Sequence, residues 1–468
     1  MAAASARTPD QGVRNPREKQ IPSQRRGEQP TPRPTRKEQV YSVKRVPKVN
    51  LWRGRAVRWR VVPAFAAFSL ALALTGPVAP AAAADGDFYM PPSTLQCSNG
   101  DVLRTEPATA SYGAALQIAG QPARVNLPAT VTRMMYCSRD NNGVQVAVTG
   151  TVLIPLVPWT GPGERPVVGF GHGTVGLGDQ CGVSKRLATG EPGESGDAPI
   201  LEAYLTAGYA IALTDYQGLG TPGAHQYLMR KAQGQAVIDA VRAAQQMPQA
   251  DLSDAGPVFL AGFSQGGFSA ASAAELQPTY APELKLQGLV AAGVPGDLAA
   301  TVQFLEGSPS DGILLFVANG LNAAYPKAGI MKMFNEAGLQ TVNTAAGQCV
   351  EDVTANGSIR SWTLTKDGRT ISDHLVNDFG ALLKEQMIGQ LKPAVPVLTG
   401  ISKADDVVPY EANRGTAKRW CDLRATVQFE TVLAPSHGAG SVAVYAESLP
   451  WLSGRVLGLP APNNCGSY

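Results

Sequence analysis

The sequence predicts an α/β fold with a mostly parallel central sheet, and three observations support this prediction. Apolar runs of strand length alternate with helical segments beyond residue 140, and this order is typical of a parallel sheet flanked by helices. One apolar run leads through the pentapeptide Gly262–Gly266 into a helical segment of small residues. An acidic loop and a histidine then follow the last two predicted strands.

Residues 1–60 form a basic leader that is predicted to be disordered, since they contain too few apolar residues to build a core. The leader contains 16 Lys and Arg and 4 Asp and Glu, a net charge of +12. Since the whole chain has a formal charge of +3, the residues after the leader carry −9. The part that folds is therefore acidic, and no folded basic face indicates nucleic-acid binding. Two interpretations of the leader remain open: a real cytoplasmic extension, or translation assigned to a start codon too far upstream, which we favour.

Residues 61–84 are predicted to be a signal peptide. The apolar run at residues 61–74 spans about 14 residues, fewer than the roughly 20 that a membrane-spanning helix requires. Arginines precede the run, a Gly-Pro pair ends it, and Ala82–Ala84 has the small residues of a signal-peptidase site. No consecutive arginine pair adjoins the run, which favours the general secretory route over the twin-arginine route. We expect a secreted or cell-envelope protein, with a retained membrane anchor as the alternative.

All cysteines lie beyond the predicted cleavage site, at Cys97, Cys137, Cys181, Cys349, Cys421 and Cys465. An even number in an exported chain fits up to three disulfides, whose pairing stays open among 15 possibilities. A few buried free thiols are the alternative. No Cys-x-x-Cys pair occurs, which argues against a zinc site.

Residues 85–139 show little periodicity and contain prolines, so we expect an N-terminal wrap of loops and edge strands. Residues 140–296 are predicted to form the first part of the α/β core. Its predicted strands are 144–152, 166–171, 209–214, 257–263 and 286–294. Its predicted helices are 202–207, 235–247 and 268–276.

Residues 297–393 interrupt the alternation of strands and helices. This stretch is far longer than an ordinary crossover, and its predicted helices are 298–305, 314–324, 330–337 and 376–388. Because an insertion here must fold against the top of the sheet, we expect a helical cap or lid between the sixth and seventh strands. The alternative is a structural side domain without a role in access. Residues 394–468 resume the core with strands at 395–400 and 425–433 and a helix at 410–421.

Ser264 is the candidate nucleophile. It lies between a predicted strand and helix in Gly-x-Ser-x-Gly, the order of a nucleophile elbow that exposes the serine hydroxyl at a tight turn. Gly262 and Gly266 flank it because a Cβ at either place would collide with the neighbouring strand or helix. The Gln265 backbone N–H falls at the helix N-terminus, where it can face developing negative charge, so we assign it an oxyanion contact. The alternative is a glycine-rich turn that happens to contain a serine.

His437 and Asp405 are the candidate base and acid. A serine hydroxyl needs a base to take its proton, and the base needs a carboxylate to hold its tautomer. In the α/β-hydrolase arrangement the acid follows a late strand and the histidine follows the last one, as Asp405, Asp406 and His437 do here. Asp405 is favoured because the first carboxylate of Asp-x-x-Val-Pro lies nearest the strand end. Asp406 would then be a solvated loop or helix-capping residue.

The loop after the strand at 166–171 is predicted to complete the oxyanion site, and we assign the second amide to Thr174. His172 is expected to brace this loop through hydrogen bonds. As an alternative base it would precede the serine in the chain, which the order of this fold disfavours. Tyr216 ends the next strand and borders the same pocket, so it is a candidate substrate contact, with a packing role equally open.

The two other histidines are weaker candidates for a catalytic role. His225 has no evident partner in the sequence. His374 adjoins Asp373, and neighbouring residues of a helix point to different faces, so the two make a poor dyad.

In these features the chain resembles the secretory lipase family, α/β-hydrolases of the fungal lipase A type with exported bacterial members. The resemblance covers about residues 142–456 and is carried by His172-Gly173-Thr174 with Cys181, Asp215-Tyr216 with Gly218-Leu219-Gly220, Gly262–Gly267, Asp405 before Val408-Pro409-Tyr410, and His437. It extends to the cap between strands. The leader departs from the family pattern, and the cap sequence is the least recognisable part, which leaves the preferred acyl-chain length open.

The resemblance implies a secreted serine hydrolase of carboxylic esters, a lipase or esterase that works through an acyl-enzyme without metal or organic cofactor. It implies Ser264 as nucleophile, Asp405 as acid and His437 as base. The expected partner is a lipid or small ester, with transient contact of the cap with lipid surfaces and no nucleic acid. A serine acyltransferase or peptidase on the same scaffold, or a non-catalytic envelope protein, is the alternative.

Overall fold

The computed structural model describes residues 88–118, 121–190, 197–355 and 357–468. The predicted leader, 1–60, and the predicted signal peptide, 61–84, lie outside these residues. Within the described ranges, no helix has the length and apolar character needed to cross a membrane.

The described strands form a nine-stranded sheet and a separate antiparallel pair, β2–β3. They are β1 Val102–Ala108, β2 Ser111–Ile118, β3 Gln121–Asn126, β4 Ala129–Arg139, β5 Gln145–Pro155, β6 Val167–Gly171, β7 Ala210–Thr214, β8 Val258–Phe263, β9 Leu286–Ala292, β10 Val397–Ser402 and β11 Val427–Val432. The large sheet has the order β1-β4-β5-β7-β6-β8-β9-β10-β11. Pairing is parallel from β7 through β11 and antiparallel from β1 to β7. The predicted α/β fold with a mostly parallel sheet is confirmed.

Helices cover both faces of this sheet, since every residue of β6, β7 and β8 is buried. The described helices are α1 Val183–Thr189, α2 Ala198–Thr206, α3 Arg230–Gln246, α4 Gln265–Tyr280, α5 Leu298–Leu305, α6 Ile313–Ala324, α7 Glu336–Ala345, α8 Val350–Thr354, α9 Ile371–Asn377, α10 Gly380–Glu385, α11 Tyr410–Asp422 and α12 His437–Val456. Helices α3 and α4 pack against each other and the sheet, and α2 and α12 do the same. Small residues allow the close approach of α3 and α4: a Cβ on Gly234 would meet Ser272 and Ala273 of the facing helix.

The N-terminal part contributes more to the sheet than its sequence predicted. Strand β4 lies inside the sheet between β1 and β5, and its central residues Met134, Met135 and Tyr136 are all fully buried. The hydroxyl of Tyr136 donates to the carbonyl of Ala236 in α3 at 2.9 Å. The buried stretch of β4 also includes Thr132, Arg133 and Ser138, so the strand shows neither a regular alternation nor a long apolar run, and its pattern predicted only edge strands.

The insertion at residues 297–393 lies between β9 and β10 and contains helices α5 to α10. Its first two helices match the predicted ones closely. The predicted helix 330–337 is instead a short 3₁₀ turn, Ile330–Met333, followed by α7. The predicted helix 376–388 is replaced by α9 and α10, which break at Phe379. Side-chain caps explain the observed starts, because Asn335 accepts from the Gly338 amide and Thr370 accepts from the Asp373 amide.

Three disulfides use all six cysteines, and the sequence had left their pairing open. They join Cys97 to Cys137, Cys181 to Cys349 and Cys421 to Cys465. The bridge Cys181–Cys349 links the core to the insertion. It is reinforced by main-chain bonds, since the Val350 amide donates to Val175 and the Leu177 amide donates to Gln348.

The last residues of the chain run along β11, the final strand of the sheet. The Asn464 amide donates to the carbonyl of Val427 at 3.0 Å. The Asn464 side chain accepts from the Phe429 amide and donates to the Phe429 carbonyl, at 2.8 and 2.9 Å. The disulfide Cys421–Cys465 holds this segment to α11.

Candidate active site

The predicted site residues all follow the carboxyl ends of strands. Thr174 lies beyond β6, Tyr216 beyond β7, Ser264 beyond β8, Asp405 beyond β10 and His437 beyond β11. Because β6 to β11 are parallel, these ends meet at one edge of the sheet, where ligands of open α/β sheets bind.

Ser264 occupies a strained turn between β8 and α4. Its backbone has φ 58° and ψ −123°, a region that non-glycine residues rarely adopt and that is typical of functional sites. The Ser264 amide donates to the carbonyl of Ala292 at 2.9 Å, which holds the turn to the next strand. Glycine is required beside it, because a Cβ on Gly262 would overlap Gly266 and a Cβ on Gly266 would overlap Gly171. The turn has the form of a nucleophile elbow.

His437 is bound to Asp405 through its ring. Its Nδ1 lies 2.7 Å from Oδ2 of Asp405, and since a carboxylate only accepts, Nδ1 carries the proton. The Asp405 side chain is 1% exposed and the His437 side chain 14%. The other oxygen of Asp405 accepts from the Val407 and Val408 amides at 3.0 and 2.8 Å. These bonds fix the carboxylate and leave Nε2 of His437 with the lone pair.

Asp406 contacts the same histidine differently. Its Oδ1 accepts from the His437 backbone N–H at 2.8 Å, at the first residue of α12. The side chain of Asp406 is exposed. The structure therefore brings Asp405 to the imidazole and Asp406 to the helix N-terminus, where a negative charge is favourable.

Nε2 of His437 is buried and has no hydrogen-bond partner among the residues that the structure describes. The imidazole lies against the ring of Phe263, whose centroid is 4.5 Å away. Phe263 directly precedes Ser264, so the imidazole of His437 lies next to the elbow. In this conformation the structure shows no hydrogen bond between Ser264 and His437. The carboxylate of Asp405 holds the ring through Nδ1, so the lone pair lies on Nε2. This nitrogen can act as a general base once the serine hydroxyl comes within reach.

The residues assigned to the oxyanion site lie on two sides of the elbow. Gln265 is the first residue of α4, so its backbone N–H belongs to the unpaired N-terminal turn. Thr174 is half-buried in the loop after β6. The amide of its neighbour Gly173 is already used, because it donates to Oδ2 of Asp197 at 2.9 Å.

His172 and Tyr216 stabilise the loop after β6 through hydrogen bonds. Nδ1 of His172 donates to the Gly173 carbonyl at 2.6 Å, and burial lowers the pKa of His172. The hydroxyl of Tyr216 donates to the His172 carbonyl at 3.0 Å. Tyr216 is fully buried in this conformation, and its role as a substrate contact stays a prediction.

The remaining histidines and one tyrosine show what the sequence reasoning missed. His225, for which no partner was expected, contacts the Gln265 side chain at 3.1 Å. The Tyr227 hydroxyl lies 2.8 Å from Oγ1 of Thr174. Their spacing of two residues beside a predicted pocket is a weak signal, and only the folded chain shows these contacts. His374 lies in the insertion between Asp367 and Asp378, at 3.0 and 2.7 Å, rather than pairing with its neighbour Asp373. No group of acidic, histidine or cysteine side chains within the described ranges has the arrangement of a metal site.

Comparisons with known proteins identify one family for this chain. The profile of the family described as "Secretory lipase" matches residues 195–464. The secreted triacylglycerol lipase LIP4 of Malassezia globosa is 28% identical over 330 residues, covering 68% of this chain and 71% of that protein. A Mycobacterium tuberculosis relative with the name "Probable inactive lipase MT1628" is 25% identical over 399 residues, covering 82% of this chain and 84% of that protein.

Solved structures share the fold. Candida antarctica lipase A superposes with a TM-score of 0.69 at 23% identity, covering 82% of this chain and 89% of that one. The rice cell wall degrading esterase LipA from Xanthomonas oryzae gives 0.59 at 23% identity, covering 77% and 97%. Because the family profile matches more than half of the chain, the protein belongs to the secretory lipase family and has an α/β-hydrolase fold.

Proposed function

We propose that the protein is a secreted serine hydrolase of carboxylic esters, a lipase or esterase, with Ser264, His437 and Asp405 as its triad. The observation that carries this proposal is the His437 imidazole, which is bound to the buried Asp405 carboxylate and lies against Phe263 beside the strained serine. The names of the relatives, secreted triacylglycerol lipases among them, support the ester class and the export.

The proposed mechanism is a double displacement through an acyl-enzyme. Oγ of Ser264 attacks the ester carbonyl while its proton passes to Nε2 of His437, and Asp405 stabilises the imidazolium. The backbone amides of Thr174 and Gln265 hold the oxyanion. His437 returns the proton to the leaving alcohol, and water then attacks the acyl carbonyl by the same route to free Ser264.

We further propose that residues 297–393 act as a cap over the site and that the cap contacts lipid surfaces transiently. The family membership and the disulfide from Cys349 to Cys181, close in sequence to the oxyanion loop, support a position near the site. Export through residues 61–84 remains part of the proposal. Two exposed side chains of the insertion, Phe304 and Trp362, are 43% and 47% exposed and provide apolar surface.

The decisive experiment compares Ser264→Ala with the parent protein, both beginning at residue 85, on p-nitrophenyl esters of increasing chain length. We expect kcat to fall by roughly 10⁴- to 10⁶-fold with the fold retained. Ser253→Ala is the matched control, since Ser253 precedes β8 at the opposite end of that strand, and it should keep full activity. Near-normal turnover by Ser264→Ala would refute the assignment.

The relative named as inactive favours a second candidate, a non-catalytic envelope protein that keeps the fold. A fluorophosphonate that labels Ser264 in the parent, and does not label Ser264→Ala, would exclude that candidate. The triad sets acyl chemistry and not the acceptor, so an acyltransferase or a peptidase is separated by assaying ester hydrolysis, amide hydrolysis and transfer to an alcohol side by side.

A further inference from the structure

A short buried segment, residues 225–227, contacts both residues to which we assign the oxyanion amides. Its first and last residues reach different targets: His225 contacts Gln265, and Tyr227 contacts Thr174. The two targets lie on separate parts of the chain, one on α4 and one in the loop after β6. One segment therefore bridges the two sides of the proposed oxyanion site.

Tyr227 holds the loop side of the site. Its hydroxyl lies 2.8 Å from Oγ1 of Thr174, and the tyrosine is 3% exposed. Burial raises the pKa of Tyr227 to about 12, so the hydroxyl stays protonated at the pH of any ordinary assay. The loop after β6 lacks the repeating main-chain bonds of a helix, so a side-chain bond to Thr174 restricts the position of its peptide.

His225 holds the elbow side. Its Nδ1 donates to the carbonyl of Gln217 at 2.7 Å, so Nε2 carries the lone pair and accepts from Nε2 of Gln265 at 3.1 Å. Both side chains are almost completely buried. Ser269 adds a second restraint, since its hydroxyl lies 2.8 Å from the Gln265 carbonyl and 2.9 Å from Oε1 of Gln233.

The insertion closes the segment from the other side. The ring of Phe316 in α6 meets the Tyr227 ring edge-on, with centroids 5.9 Å apart. One turn further along α6, a Cβ on Gly320 would overlap the Tyr227 main chain, so the helix lies directly on that backbone. The Tyr227 ring also contacts the His225 ring, at 6.1 Å. Rigid packing on all sides is what a positioning element requires.

We propose that His225 and Tyr227 are positioning residues of the oxyanion site, which hold the Gln265 and Thr174 amides at the separation that the tetrahedral intermediate needs. This proposal rests on the proposed function. It predicts a specific kinetic effect, because oxyanion contacts strengthen only as charge develops: loss of either bond lowers kcat and leaves KM almost unchanged.

The first test replaces Tyr227 by phenylalanine, which keeps the ring packing and removes the bond to Thr174. We expect kcat on p-nitrophenyl butyrate to fall about tenfold, part of what complete loss of an oxyanion donor costs, with KM within about twofold. Tyr204→Phe is the matched control, since Tyr204 is equally buried and its hydroxyl donates to Ser448 at 3.0 Å. That variant should stay within about twofold of the parent in kcat.

Variants at Thr174 supply a test that does not depend on folding of the tyrosine variant. Thr174→Ser keeps a hydroxyl for Tyr227 and should retain kcat within about threefold, whereas Thr174→Val should lose about tenfold. The double variant Tyr227→Phe/Thr174→Val should lose no more than either single change, because both remove the same bond. On the other side, His225→Leu should lower kcat about tenfold, and His225→Gln, which keeps an acceptor for Gln265, should lower it less.

Two results would overturn the inference while leaving the hydrolase assignment intact: Tyr227→Phe matching Tyr204→Phe in kcat, or additive losses in the double variant. A variant that raises KM alone would also overturn it, because that effect belongs to ground-state binding. Failure of the proposed function is distinguished by Ser264→Ala, which in that case would retain the activity of the parent.

Discussion

Replacing Asp405 and Asp406 one at a time by asparagine tests the site most sharply, since both carboxylates bind His437 at nearly equal distance. Asp405 accepts from the ring Nδ1 at 2.7 Å and Asp406 from the backbone N–H at 2.8 Å. Asparagine at 405 presents an amide where the ring N–H needs an anion, which favours the wrong tautomer and leaves the imidazolium unstabilised. We expect about a 10⁴-fold loss in kcat, equivalent to about 5 kcal/mol.

Asparagine at 406 keeps an oxygen for the His437 amide and removes only an exposed charge at a helix N-terminus. That charge is worth about 0.3–1 kcal/mol, so kcat should change by less than about fivefold. Initial rates on p-nitrophenyl butyrate, with active sites counted by fluorophosphonate titration, measure both variants. Equal losses, or a larger loss at Asp406, would refute the assignment of Asp405 as the acid.

Two further predictions concern buried groups near the elbow. Burial lowers the pKa of His225 from its ordinary 6.5 to about 4. As the pH falls, the unfolded chain therefore binds a proton at this histidine before the folded protein does. The contribution of neutral His225 to the free energy of unfolding is complete above about pH 6.5 and is lost as the pH falls toward 4. Between pH 7 and 4.5 the parent should therefore lose about 2 kcal/mol more than His225→Gln, measured by urea unfolding at each pH; identical losses would contradict this. Gly266→Ala should lower the free energy of unfolding by about 1–3 kcal/mol and remove most of the activity. Gly380→Ala, at an open helix start, should change neither the thermal unfolding nor the reaction rate.

Local patterns explain which parts of the fold and site the sequence predicted. The elbow at Ser264 is a contiguous arrangement of strand, turn and helix, and its Gly-x-Ser-x-Gly pattern lies within five consecutive residues. The strands from β5 to β11 carry apolar runs of the right length, and their carboxyl ends indicate where side chains converge. The same logic favoured Asp405 over Asp406, and the structure brings Asp405 to the imidazole.

Long-range contacts explain the rest. Strand β4 is buried by α3, about 100 residues away in sequence, as the bond from Tyr136 to Ala236 shows, so its own pattern could not reveal its position inside the sheet. The partner of Cys181 is 168 residues away. The contacts of Tyr227 and His225 depend on how a loop, a helix and the insertion meet, and no spacing within the segment encodes that meeting.

The C-terminal segment beside β11 has a consequence for how molecules of this protein meet one another. A final strand with free N–H and C=O groups is a template on which a second chain can add its own strand. In this protein the side-chain amide of Asn464 binds the N–H and C=O groups of Phe429 in β11, as a peptide of a second strand would. The disulfide Cys421–Cys465 keeps Asn464 in this position. Removing the last six residues should expose this template and favour edge-to-edge association, although those residues lie far along the chain from Ser264.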